Sequence, residues 1–252
     1  MRPYVLAEVT WKQVMETTYE VAVLPWGATE AHNYHLPYAT DNFEAQSIAI
    51  DAARIATERG GKVVVLPGIP FGVQTGQTDI PFCINMMPST QALVLRDVVQ
   101  SLEATTVRKL VVLNGHGGND FKQMIRELQV MTPLLLATVN WWQVAPTKDV
   151  FKEAGDHGGE LETSVMMHLE PNLVRPLSEA GDGAERRAKI AALRERWAWT
   201  PRPWTQVSED TGIGNPTAAT AEKGASYFRT VTEKIGGFLA DLSAADPTDL
   251  YD

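Results

Sequence analysis

The chain has 252 residues, 44% of them apolar and 21% charged, with 31 Asp and Glu against 22 Lys and Arg. A net charge of −9 leaves no general basic face to neutralise nucleic-acid phosphates or anionic lipid heads, so small-molecule chemistry is expected, with no nucleic acid and no membrane as partner. The lone Cys83 excludes an internal disulfide and points to the cytoplasm; neither a signal peptide nor an uncharged membrane-spanning run is expected.

The apolar run Val21 to Trp26 predicts a buried strand. It leads into Gly27-Ala28-Thr29-Glu30-Ala31-His32, where Glu30 and His32, two residues apart, point to one side of an extended backbone, as metal ligands would. Asp41 follows at the start of a helix predicted over Asn42 to Arg59. Asp41-Asn42-Phe43-Glu44 also spells a capping box, although an aspartate there could equally bridge two cations. Val63 to Leu66 predicts a second strand and Ser89 to Ala104 a second helix. A third strand, Leu110 to Leu113, opens into Asn114-Gly115-His116-Gly117-Gly118-Asn119. Such a turn can cradle phosphate, but the Walker ending and the dinucleotide glycine spacing are both missing. What remains is an imidazole at the carboxyl end of a strand, where open α/β sheets bind ligands.

A helix over Asn119 to Val130 and a strand over Leu134 to Val139 continue the rhythm. Next comes Asp156-His157-Gly158-Gly159-Glu160-Leu161-Glu162-Thr163-Ser164, leading into a helical run. If that helix begins near Gly159, Glu160 and Glu162 point about 160° apart, so only one of them suits a ligand position; the alternative for both is charge matched to the helix dipole. His168, two turns on, reads as a core or surface residue. Residues 176 to 216 are broken by Gly and Pro around a charged helix at Glu185 to Arg196 and read as a surface excursion. An amphipathic helix over about 217 to 242 closes the chain. The alternation predicts an α/β fold: a three-layer α/β/α sandwich with a mostly parallel central sheet, formed as a single domain over residues 1–252.

Four of the five histidines, His32, His35, His116 and His157, fall in the Gly-rich, acid-containing segments. Glu, His and Asp without a thiolate suit Zn²⁺, Mn²⁺ or Fe²⁺ with a position left for water. Two such ions bridged by a carboxylate would bring a shared water near neutral pKa. No Gly-x-Ser-x-Gly elbow or His-Glu-x-x-His helix competes. Trp141, Trp142, Trp199 and Trp204 are expected in the core or at oligomer contacts, with one or two on the pocket.

These residues resemble the creatininase (creatinine amidohydrolase) family. The family pattern of Gly-x-x-Glu-x-His, His-Leu-Pro, Thr-Asp, Asn-Gly-His-Gly-Gly-Asn and His-Ala-Gly-Glu-x-Glu-Thr-Ser stands here as Gly27 to His32, His35 to Pro37, Thr40-Asp41, Asn114 to Asn119 and His157 to Ser164. A late Gly-x-Pro with Ala-Thr-Ala-Glu-Lys-Gly recurs at Gly214 to Pro216 and Ala219 to Gly224.

The resemblance implies a two-metal hydrolytic centre and a homo-oligomer, commonly a hexamer. It implies Glu30 and His116 on one ion, His32 on the other, Asp41 bridging, and His157 as proton donor or acceptor. Creatininase carries a further carboxylate ligand two residues after the histidine, where this chain has Gly118. Glu160 is expected to replace it as ligand and catalytic group, with Glu162 in reserve. Asn33-Tyr34 replaces the usual Gly-Pro, and Gln77 to Cys83 stands where relatives carry Glu-His and Pro-Gly-Thr. Substrate contacts are therefore expected from Asn33, Tyr34, Gln74, Gln77 and Glu162, with Asp79 nearby. The implied activity is a metal-activated water that cleaves the C–N bond of a small cyclic amide or lactam. The family also holds formamide hydrolases, cofactor-maturation peptidases and enzymes that open cyclic keto-inositols by C–C hydrolysis. A non-catalytic ligand-binding oligomer is the alternative from another class.

Overall fold

Runs of Val, Leu and Ala pair as four strands: β1 Val21–Trp26, β2 Val63–Val65, β3 Lys109–Asn114 and β4 Leu135–Asn140. The computed structural model describes residues 2–251. The sheet order is β2-β1-β3-β4 and every pairing is parallel, with Val21 opposite both Val63 and Lys109. Every residue of β1, β2 and β3 is buried, which is why these segments read as continuous apolar runs rather than alternating ones.

The short α1 (Trp11–Met15) precedes β1. The crossovers are α2 (Thr40–Glu58) from β1 to β2, α3 (Pro88–Glu103) from β2 to β3, and α4 (Lys122–Gln129) from β3 to β4. After β4 come α5 (Glu160–Leu169), the short α6 (Ala191–Arg194) and α7 (Trp204–Val207), and the long α8 (Ala221–Ala244). Successive strand residues alternate between two cores. Val21, Val23, Val111 and Leu113 pack with α2, α5 and α8, whereas Ala22, Leu24, Leu110 and Val112 pack with α3 and α4. The result is the expected sandwich. Small residues set its thickness on the first side. A β-carbon at Gly224 of α8 would fall 1.8 Å from the Ser164 carbonyl oxygen of α5, and one at Gly236 would fall 2.7 Å from Ile55 of α2.

Three boundaries depart from the sequence expectation. The helix expected over Glu185 to Arg196 shrinks to α6, because the Arg186 N–H donates across the excursion to Val207 O at 2.8 Å instead of entering a helical ladder. α4 begins at Lys122 rather than Asn119, whose side chain is tied to Asn114 and to Val73 N. The last helix starts at Ala221, after a 3₁₀ turn at Pro216–Ala218, where the Thr220 hydroxyl accepts from Lys223 N.

β1 lies between β2 and β3, so the crossover from β1 to β2 and the one from β2 back past β1 to β3 run in opposite directions along the sheet. Its carboxyl end and that of β3 flank the crevice where such sheets place ligands.

Candidate metal centre

The extended segment after β1 delivers Glu30 and His32, the turn after β3 delivers His116, the first turn of α2 delivers Asp41, the segment before α5, bridged to Ile213, delivers His157, and the first turn of α5 delivers Glu162. Their donor atoms converge in three overlapping groups: Glu30, Asp41 and His116; His32, Asp41 and Glu162; and Glu30, His32 and His157. Glu30, His32 and Asp41 are no more than 1% exposed. Glu30 Oε1 is the hub, 2.8 Å from His116 Nδ1, 3.7 Å from His32 Nε2 and 3.7 Å from His157 Nδ1. Asp41 spans the other pair, with Oδ1 2.9 Å from His32 Nε2 and Oδ2 3.1 Å from His116 Nδ1. Asp41 is therefore not a helix cap: the N-cap is Ala39, without a side-chain cap bond.

Backbone carbonyls fix each imidazole. His116 Nε2 donates to Val73 O at 2.9 Å, His32 Nδ1 to Glu30 O at 3.2 Å, and His157 Nε2 to Ala31 O at 2.7 Å. A carbonyl only accepts, so in each ring the other nitrogen is the one aimed at the cluster, able to donate a proton to a carboxylate when the ring is charged and to offer its lone pair to a cation when it is neutral. The Asn-Gly-His-Gly-Gly-Asn turn is the frame for His116. Asn114 Oδ1 accepts from His116 N, its Nδ2 donates to His116 O, and Asn119 Nδ2 donates to Asn114 Oδ1. Gly118 leaves the space this needs, since a β-carbon there would lie 2.1 Å from Val73 O and 2.5 Å from His116 Nε2.

Charge completes the description. Burial opposes charging His116, but Glu30 and Asp41 drive its pKa well above the ordinary range. Against the same burial, Asp41 pushes His32 up to about 10. Glu30 is lowered despite burial, held down by His116 and His157. Burial, aided by Asp41 and Glu30, pushes Glu162 up to about 7. Burial and the neighbouring His32 hold His157 below its usual range. Glu30 Oε1 and Asp41 Oδ2 are buried and find no hydrogen-bond partner among the described residues. Such a pocket demands positive charge.

Glu160, expected as the replacement ligand, lies outside the three groups. Its Oε1 pairs with Lys223 Nζ at 2.5 Å and its Oε2 accepts from Glu153 N at 3.0 Å. Phase on α5 is the reason: the helix lies against α8, so Glu160 meets Lys223 while Glu162, on the other side, faces His32 and Asp41. Glu162 also accepts from Gly158 N at 2.5 Å.

The expected substrate contacts are mostly engaged within the protein. Asn33 Oδ1 accepts from Gly181 N and its Nδ2 donates to Gly181 O, while Tyr34 OH reaches Glu209 O. Gln74 donates to Thr29 O, Gln77 to Glu30 Oε2, and Asp79 accepts from Thr205. Two buried residues add to the surroundings without having been singled out. Glu44, one turn after Asp41, has both oxygens without a partner among the described residues, and burial next to Glu162 and Asp41 raises its pKa. Thr163 meets His35 Nε2 at 2.8 Å. An acid on the otherwise apolar inner face of α2 was the available signal for Glu44.

A cavity of about 240 Å³ opens beside the cluster, lined by Gly115, Gly117, Trp142, Thr147, His157 and Glu162 among others. Trp204 closes edge-on over His157, with centroids 5.2 Å apart. Trp141 is core and Trp199 is exposed. Another hollow, beside Arg2, Tyr4 and Arg54, has its guanidinium groups already paired with Glu8, Asp51 and Glu58.

The family model described as Creatininase, creatinine amidohydrolase, matches residues 7–239. A Bacteroides fragilis protein of known structure, provisionally described as a creatinine amidohydrolase, is 45% identical, with a TM-score of 0.93 over 100% of both chains. The mycofactocin precursor peptide peptidase of Mycobacterium tuberculosis is 29% identical over 238 residues, 90% of this chain and 87% of that one. A mutant creatininase of the Zn-Zn type, 21% identical with a TM-score of 0.77 over 96% of this chain and 99% of that one, shares the fold.

Proposed function

Because the chain belongs to the creatininase family, we propose that it is a metal-dependent hydrolase that cleaves an amide C–N bond of a small substrate at a two-ion centre. The observation that carries this reading is the convergence of Glu30 Oε1 and Asp41 Oδ2, both buried, on His116 Nδ1 at 2.8 and 3.1 Å, with His32 and Glu162 grouped about the same aspartate. Two buried carboxylates converging on one imidazole nitrogen demand positive charge between them, which a proton on the ring or a divalent cation supplies, and the second such group around His32 favours the cation.

Glu30, Asp41 and His116 would hold one ion, and His32, Asp41 and Glu162 the other, with the two oxygens of Asp41 turned one to each side. Glu162 thus takes the part of the carboxylate missing at Gly118, and Glu160 has no catalytic part. Bound there, Zn²⁺, Mn²⁺ or Fe²⁺ would supply Lewis acidity and a water acidic enough to act near neutral pH.

The chain's own residues do the rest. His157, kept neutral by burial and His32, has Nε2–H fixed on Ala31 O and Nδ1 free to accept a proton and return it to the leaving nitrogen. Trp142, Gly115 and Gly117 line the small cavity beside the cluster in which a substrate would sit. The amide class is favoured because the activities named for the relatives, on creatinine and on a peptide, both break a C–N bond. The proposal extends to one domain, a homo-oligomer and the cytoplasm; no described helix is long and apolar enough to cross a membrane.

The test is metal removal and add-back, read as ions per chain and as hydrolysis across cyclic amides, lactams and short peptides. Two ions per chain are expected. Glu30→Gln is expected to lower turnover by roughly a thousandfold or more, the several kcal/mol of Lewis-acid stabilisation. Activity that survives complete metal removal would overturn the reading.

A further inference from the structure

Glu30 has two oxygens with different surroundings. Oε1 faces three imidazole nitrogens, while Oε2 receives the side-chain N–H of Gln77 at 2.5 Å. Gln77 is 4% exposed and does not reach Glu30 by chance of rotamer. Its other end accepts from the Cys83 thiol at 3.3 Å, and the same sulfur accepts from Ala31 N at 3.3 Å. The thiol donor on Oε1 of the amide leaves only the NH₂ end to turn towards Glu30.

The segment carrying both residues is pinned by its own backbone. Gln77 N donates to Gln74 O at 2.9 Å, Ile80 N to Gln77 O at 3.0 Å, Cys83 N to Ile80 O at 3.2 Å and Ile84 N to Thr29 O at 3.1 Å. A chain of contacts therefore runs from the Ala31 backbone through Cys83 and Gln77 back to Glu30, one residue from where it began.

We propose that Gln77 is a positioning residue that restricts Glu30 to a single-oxygen donor: its amide occupies Oε2 and leaves Oε1 alone to face a cation. The inference rests on the metal reading above. Its chemical consequence is specific. A carboxylate free to rotate can chelate with both oxygens and fill the coordination position that a hydrolytic ion must keep open for water. Holding one oxygen in a hydrogen bond prevents this, and outer-shell partners of this kind typically change metal affinity 10–100-fold when removed.

Cobalt(II) provides the readout, since its visible absorption is stronger in four- and five-coordinate sites than in six-coordinate ones. The full chain is loaded with cobalt alone, and native protein is compared with Gln77→Met, which keeps length and burial but has no donor. The expected result is a fall of about twofold or more in absorbance per bound cobalt, with the affinity of one ion altered about 10–100-fold and that of the other little changed. A merely structural role would lower thermal stability and leave the cobalt spectrum as it was.

A folded Gln77→Met protein with native spectrum and affinities overturns the proposal. Should that variant not fold, Cys83→Ala decides: a weakened spectrum that Cys83→Ser restores supports the proposal, and an unchanged one overturns it. Native protein that binds no cobalt defeats the metal reading itself, and this inference with it; native binding with an indifferent Gln77→Met variant defeats this inference alone.

Discussion

The carboxylate of Asp210 in the excursion and those of Glu30 and Asp41 at the strand ends are all 5% exposed or less, yet they are partnered in opposite ways. Asp210 Oδ1 accepts from Gly212 N and the Ser208 hydroxyl, at 2.9 and 2.8 Å, and Oδ2 accepts from Gly183 N at 2.9 Å. Each oxygen is satisfied by its own loop. Glu30 Oε1 and Asp41 Oδ2 have no backbone N–H or hydroxyl donor and face imidazole nitrogens instead, whose protons a bound cation would displace. Burial of an acid is thus no mark of a site; the mark is an oxygen that the fold has gone out of its way to leave without a donor.

The contrast can be broken most forcefully inside α5. Glu162→Gln is expected to reduce bound metal from two ions per chain to one and turnover by on the order of a thousandfold. Glu160→Gln, about half a helical turn away, should keep both ions and lose only about 1–2 kcal/mol of stability, because Lys223 is partly exposed. Metal content by elemental analysis and thermal unfolding separate the two; equal metal loss from both would end the distinction. A smaller effect is expected in the excursion. Asp210→Ala strands two backbone N–H groups and should cost about 2–3 kcal/mol in denaturant unfolding, with the metal content unchanged. The smallest belongs to Trp199, 84% exposed, whose change to Ser should move stability by no more than about 0.5 kcal/mol.

The sequence made the sheet legible because β1, β2 and β3 are buried on both faces and so appear as nearly unbroken apolar runs, with the half-buried β4 still carrying Leu135 to Val139. Glu30 and His32 were legible from their spacing, and His116 from its place at a strand end. The choice between Glu160 and Glu162 was not, because it depends on how α5 rotates against α8, a packing matter settled by Lys223 and by the close approach at Gly224. Asn33, Tyr34 and Gln77 were read as substrate contacts from their polarity at positions that depart from the family pattern, and neither feature reveals a partner within the chain. Asn33 holds the excursion at Gly181, and Gln77 holds Glu30. Glu44 was hidden because an acid three residues after Asp41 looks like helix capping.

Gly118 bears on how such a centre can change over time. The Val73 carbonyl that orients His116 is also the atom that any side chain at 118 would strike. Placing a carboxylate at 118 by one replacement would therefore push on the Val73 carbonyl and on His116 together. A side chain at 118 and the present frame of His116 exclude one another unless the backbone at Val73 moves.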